Sequence, residues 1–179
     1  MRIAIFSDVH GNKEALEAII EDIKKETINE IICLGDTLGI GPNPKECMDL
    51  IINNGIKMVL GNHELYFLKG TDIDDEMDED EILHQKWTKE QITDSQKSYL
   101  EKCSVTIEKE YNRKKLLFTH FLIDYNSKEQ YPFYKLNIVR DGSIKNIMES
   151  LNYDLIFIGH EHKDFCIDNK LYDVASSGC

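Results

Sequence analysis

Apolar and polar positions alternate along this chain in two rhythms. Residues 2–6, RIAIF, form a short apolar run, and after a turn Leu16, Ile19, Ile20 and Ile23 recur at helical spacing within KEALEAIIEDIKKE. The exchange then repeats. EIICL (30–34) reads as a second strand, and NPKECMDLIINNG as a second helix, with Asn43 as its cap, Pro44 in its first turn and Gly55 beyond its end. KMVL (57–60) reads as a third strand. Strand, helix, strand, helix, strand predicts parallel pairing through right-handed crossovers, and hence an α/β core.

From residue 71 the rhythm breaks. DIDDEMDEDE (72–81) places eight carboxylates in ten positions, which predicts a solvated loop or a helix start facing water. EILHQKWTKEQITDSQKSYLEKC then resumes helical spacing on Leu83, Trp87, Ile92 and Leu100. It predicts a helical excursion over about 71–103, packed beside the sheet, in which His84 is an ordinary surface or packing residue. KLLFT (115–119) and LIFI (155–158) read as further strands, and SIKNIMESL as a short helix capped by Ser143. DFCIDNKLYDVA predicts a hairpin turning at Asn169 and Lys170, hence antiparallel strands and a second sheet. No repeat or low-complexity linker divides the chain, so residues 1–179 read as a single domain.

Composition narrows the function classes. With 33 acidic against 21 basic residues the net charge is -12, so a nucleic-acid polymer meets no general attraction. An anionic substrate must be drawn by something local, such as bound cations. MRIAIFSDVHGN has neither the form of a signal peptide nor the length of a membrane span, so a cytoplasmic protein with no membrane partner is expected. The five cysteines are dispersed without a C-x-x-C pair, which fits reduced thiols rather than a disulfide framework or a cysteine zinc site. Oligomeric state is left open, a homo-oligomer included.

The polar residues follow the strands. RIAIF runs into Ser7-Asp8-Val9-His10-Gly11-Asn12, IICL into Gly35-Asp36, MVL into Gly61-Asn62-His63-Glu64, LLFT into His120, and LIFI into Gly159-His160-Glu161-His162. Five of the six histidines lie in these clusters, and only His84 does not. In an open α/β sheet the carboxyl ends of the strands share one edge, where ligands bind, so residues more than 150 positions apart are expected to converge. An extended backbone after LIFI would turn His160 and His162 to one side and Glu161 to the other. Asp8, His10, Asp36, Asn62, His120, His160 and His162 make seven donors, too many for one tetrahedral zinc but suited to two divalent ions sharing a carboxylate. The mixture of imidazole, carboxylate and amide suits manganese first, then iron, zinc or nickel, rather than calcium.

In their order, D-x-H, G-D, G-N-H-E, H and G-H-x-H resemble the calcineurin-like metallophosphoesterase family, over nearly the whole chain. GIGPNPKEC and WTKEQITDSQKSYL look like its small prokaryotic branch of phosphodiesterases and diadenosine-tetraphosphatase relatives. The resemblance implies a four-layer α-β-β-α sandwich, two mixed sheets flanked by helices. It implies that Asp8, His10, Asp36 and His162 hold one ion, that Asn62, His120 and His160 hold the second, and that Asp36 bridges both. His63 would protonate the leaving oxygen or stabilise phosphoryl charge, and Asn12, Asn62 and His63 would face the substrate. GDTLGIGP lacks the arginine that protein Ser/Thr phosphatases and symmetrical dinucleoside tetraphosphatases carry after G-D, which weakens both of those substrate assignments. Phe121 follows His120 where many relatives have glycine, which narrows the expected pocket mouth.

The implied reaction is hydrolysis of a small phosphodiester or phosphomonoester by a hydroxide bridging two ions about 3.5 to 4 Å apart. HEHKD also begins like the H-x-H-x-D-H of metallo-β-lactamase-type hydrolases, but Phe165 stands where the next histidine is required. A scaffold or regulatory protein that keeps the fold without catalysis is the remaining alternative, yet such a protein has no need of the complete donor set and His63.

Overall fold

The structure, a computed structural model, describes residues 1–70, 77–122, 148–162, 166–168 and 170–174. The predicted Ser143 cap, residues 72–76 of the acidic run, Phe165 and Asn169 lie outside the described residues. The first half of the chain forms β1 (Ile3–Phe6), α1 (Lys13–Lys25), β2 (Glu30–Cys33), α2 (Pro44–Asn53) and β3 (Lys57–Met58). They build a parallel sheet of order β1-β2-β3, in which Phe6 pairs with Cys33 and Cys33 with Met58. Asn12 caps α1, its side-chain oxygen accepting from the Ala15 amide at 3.0 Å. Asn43 precedes α2 without a side-chain cap bond, and Pro44 presets the first turn.

Three helices follow: α3 (Asn62–Lys69), α4 (Glu79–Gln91) and α5 (Asp94–Leu100). The second half then forms β4 (Thr106–Tyr111), β5 (Lys114–Thr119), β6 (Leu155–Ile158), β7 (Cys166–Ile167) and β8 (Leu171–Asp173), a mixed sheet of order β4-β5-β6-β8-β7. The β7–β8 hairpin is the predicted antiparallel pair, while β5, β6 and β8 run parallel.

Alternation along the strands produces the layers. In the second strand Ile32 and Leu34 point between the sheets and Cys33 points to the helices, while in β5 Leu116 and Phe118 point inward and Leu117 outward. Ile32, Leu34, Val59, Leu116 and Phe118 thus make an inter-sheet core, each burying roughly 1.5 to 3 kcal/mol of apolar transfer energy. Outside the first sheet, Leu16, Ile20, Met48 and Ile51 of α1 and α2 pack a second core; outside the second, Leu117, Ile156, Met148 and Leu151 pack a third. The result is two sheets between helical layers, as expected.

The helical excursion packs differently from its predicted anchors. Leu100 is fully buried, but Leu83 and Trp87 are exposed, and α4 instead buries Gln85 and Thr88. Among the described residues no helix is long and apolar enough to cross a membrane.

Candidate metal centre

The loops after the first sheet's strands are stitched together by their backbones. The Asp8 amide donates to the Gly35 carbonyl at 3.1 Å, His10 to Asp36 at 2.8 Å and Gly11 to Thr37 at 2.9 Å. On the second sheet, the Gly159 amide donates to the His120 carbonyl at 2.9 Å. The His120 ring helps tie the sheets to each other: fully buried, it lies with Nδ1 2.9 Å from the Leu34 carbonyl oxygen. Carbonyls only accept, so Nδ1 carries the hydrogen and Nε2 turns its lone pair toward the loops of the other sheet.

There the seven predicted donors meet. Nε2 of His162 lies 3.1 Å from Nε2 of His10 and 3.2 Å from Asp8 Oδ1, and His10 Nε2 lies 3.7 Å from Asp8 Oδ1. Beside this group, His120 Nε2 lies 3.1 Å from both Asp36 Oδ2 and Asn62 Oδ1, and His160 Nδ1 lies 3.0 Å from Asn62 Oδ1. Asp36 reaches toward both groups, its Oδ2 standing 3.9 Å from His10 Nε2. Atoms bound about 2.1 Å from one ion lie roughly 3 to 3.5 Å from each other, so the shorter of these spacings are those of a coordination shell. The donor chemistry makes the same case. With its lone pair turned this way, His120 Nε2 meets two further acceptors, Asn62 Oδ1 and Asp36 Oδ2, an arrangement that a proton or a cation between them satisfies. The residues present therefore fit divalent metal.

The backbone of the site departs from the extended reading. His160 and His162 have φ of 74° and 50°, so their rings do not share a strand face; each is aimed separately, His162 to Asp8 and His10, His160 to Asn62. Asp8, His10 and Asp36 also take the left-handed conformation, at 57°, 48° and 49°. Such positions cost non-glycine residues roughly 1 kcal/mol or more and concentrate at functional sites. Gly159 precedes the pair because a Cβ there would run into Ser7 Oγ and Asp8 Oδ2.

Around the donors stands a supporting shell. Glu64, completely buried at the first turn of α3, accepts from the amides of Asp36 (2.8 Å), Thr37 (2.8 Å), Leu38 (2.9 Å) and Gly61 (2.9 Å). It locks the β2 loop to the start of α3, while the His63 amide donates to Asp36 Oδ1 at 3.0 Å. The His63 ring is held by Gln85, whose amide nitrogen lies 2.6 Å from Nδ1, and by the Gly39 backbone, where a Cβ would collide with the ring. Neither Gln85 nor Gly39 announces itself in sequence, since a lone glutamine in an amphipathic segment carries no spacing signal. Asn12 is exposed, with its side chain engaged in capping α1. His84 packs against Trp87 on α4 and belongs to none of the donor groups, as expected.

Electrostatics divides the histidines. Burial pulls His10, His63 and His160 below the ordinary imidazole value, His63 to about 4. Burial also opposes the charge on His120, but Asp36 beside it, with Asp8 and Glu64, outweighs that and raises it to about 9. Asp36 shows the reciprocal effect: burial disfavours its charge, but His120 and His63 hold it far below the carboxylate range. Glu64 is pushed up to about 7 by burial and by Asp36, against its amide donors. Without metal, the raised His120 therefore adds stability that is complete below its unfolded value near 6.5 and lost as pH rises through about 9. Thermal melts in chelator are expected to fall over that window, and a divalent ion, taking the proton's place, to remove the slope. A flat profile in chelator would show that His120 does not carry this proton.

Comparison with known proteins agrees with the geometry. The model of the calcineurin-like phosphoesterase family matches residues 1–164. An uncharacterised protein of Methanocaldococcus jannaschii is 35% identical over 164 residues, a match covering 91% of this chain and 63% of that protein. The crystal structure of a metallophosphoesterase from Sphaerobacter thermophilus superposes with a TM-score of 0.64 at 27% identity, over 90% of this chain and 61% of that one. This chain thus spans less than two thirds of either relative's length. A hypothetical protein from Pyrococcus horikoshii shares the fold, with a TM-score of 0.74 at 16% identity over 98% of this chain and 77% of the other.

Proposed function

The chain belongs to the calcineurin-like phosphoesterase family, and from that membership we propose that it hydrolyses a small phosphodiester or phosphomonoester at a dinuclear metal centre. The observation that carries this reading is the meeting of seven donor side chains in two adjoining groups with Asp36 between them. Asp8, His10 and His162 would hold one ion together with Asp36, and Asn62, His120 and His160 the other. When bound, two divalent ions, manganese first among manganese, iron, zinc and nickel, supply positive charge for phosphoryl oxygens and make a water nucleophilic near neutral pH.

The chain's own residues do the rest. The Leu34 carbonyl keeps the His120 lone pair pointed inward, and Glu64 keeps the Asp36 loop from moving as charge develops. His63 donates a hydrogen bond to the leaving or phosphoryl oxygen, and Asn62, next to it at the start of α3, faces the same substrate. A molecule of net charge -12 draws an anion here only through local cations, which favours a compact phosphorylated substrate over a nucleic-acid polymer.

Turnover of mono- and bis(4-nitrophenyl) phosphate with each of the four metals tests the reading. Activity is expected only with metal, and His63→Asn is expected to lose about 10²- to 10⁴-fold while retaining metal. No turnover with any of the metals, or an unaffected His63→Asn, would point instead to a non-catalytic binding role.

A further inference from the structure

We propose that Gln85 is a positioning residue that holds His63 as its Nε2–H tautomer, so that His63 meets substrate as a fixed hydrogen-bond donor rather than as a source of protons. What that donor meets rests on the phosphoesterase reading above; the tautomer itself does not.

Gln85 sits on α4, outside both sheets and in a helix whose large apolar side chains Leu83 and Trp87 face outward. It is nonetheless buried, and its Nε2 lies 2.6 Å from His63 Nδ1. An amide nitrogen has hydrogens to give and no lone pair to offer, so Nδ1 must accept and the ring's hydrogen sits on Nε2. Turning the amide round would not improve matters. Gln85 Oε1 is buried with no partner, so the present orientation leaves that carbonyl and one amide hydrogen unpaired, whereas the reverse would leave both amide hydrogens unpaired, and a buried N–H goes without a partner less readily than a carbonyl. Of the ring's other neighbours, the Gly39 backbone, the His10 ring at 5.0 Å and the Tyr66 ring at 5.6 Å constrain its plane, and an Asp36 carboxylate oxygen lies within 4.8 Å of one of its nitrogens.

The tautomer limits what His63 does. A neutral ring whose Nδ1 accepts from Gln85 can donate a hydrogen bond from Nε2, but surrendering that hydrogen would leave an imidazolate anion in a buried site. Its contribution is then stabilisation of charge on a phosphoryl or leaving oxygen, with the N–H bond intact.

Two-bond ¹⁵N–¹H spectra of the full chain with zinc added read the tautomer directly, His63 being identified by its loss in His63→Asn. The native ring is expected on Nε2–H. Gln85→Leu should release it toward a mixture, and Gln85→Glu, which only accepts, should move the hydrogen to Nδ1. A native ring protonated on Nδ1, or a pattern unchanged in both variants, overturns the proposal. Should Gln85→Leu fail to fold, the near-isosteric Gln85→Glu carries the comparison alone. In turnover, Gln85→Leu is expected to lower kcat about tenfold with KM within about twofold, equally for a nitrophenyl and an alkyl ester. A loss confined to the alkyl ester, whose leaving group needs a proton, would assign His63 proton transfer and defeat the donor role. A native chain without turnover would defeat the phosphoesterase reading and leave the spectra to decide Gln85.

Discussion

Asp36→Ala is expected to lower turnover by about 10³-fold or more and to empty both halves of the centre rather than one. Among the described residues, Asp36 is the carboxylate that stands with His10 on one side and with His120 and His160 on the other. It also accepts the His63 amide at 3.0 Å, so its removal loosens the start of α3 as well. Asp36→Asn separates charge from shape: the amide still accepts that backbone bond, but no longer offers a negative oxygen to the neighbouring imidazoles. Elemental analysis of purified variants beside kcat is the measurement. If either variant kept a full metal complement, the central placement of Asp36 would be wrong.

Glu64→Ala carries the second large effect, on stability. Its carboxylate serves four buried amides from two loops, and its loss leaves those donors facing an apolar gap. Breaking one side of such a buried, charge-assisted set typically costs about 3 to 5 kcal/mol, on the order of 10 °C in melting temperature for a chain of this size. Glu64→Gln is expected to recover little, because its NH₂ would confront two of the amides donor to donor. Thermal unfolding monitored by circular dichroism decides it. A shift of only a degree or two would mean that water reaches these amides and that Glu64 does not clamp the loop.

The alternation of apolar runs made the alternating strands and helices of the first half legible, and the strand-end clusters made the donors legible. The features that escaped did so for local reasons. NHELYFLK begins with residues that read as a ligand cluster, so α3 was hidden behind the chemistry of its own first turn. TIEKEY, an edge strand paired only with β5, alternates charged residues at positions that face solvent and lacks the apolar run that marks a buried strand. Its connection to β5 turns through Asn112 and Arg113, both at positive φ, without the glycine that usually advertises such a hairpin. Leu83 and Trp87 were natural anchors by spacing, but α4 turns Gln85 inward to His63, a long-range demand that periodicity does not carry. The left-handed aim of His160 and His162 was equally invisible, since those angles are set by partners on the other sheet.

His10 and His162 touch across 152 residues of chain. During synthesis, the ribosome has therefore released Asp8, His10, Asp36, Asn62 and His120 well before His160 and His162 emerge. A nascent chain at that stage holds an open, half-built chelate, with the inter-sheet core still missing β6. On the proposed dinuclear reading, the full donor set forms only when the second sheet docks beside the first. A metal bound there would clip a very long loop, whose closure entropy grows only slowly with length, and so would seal a topology that is already complete.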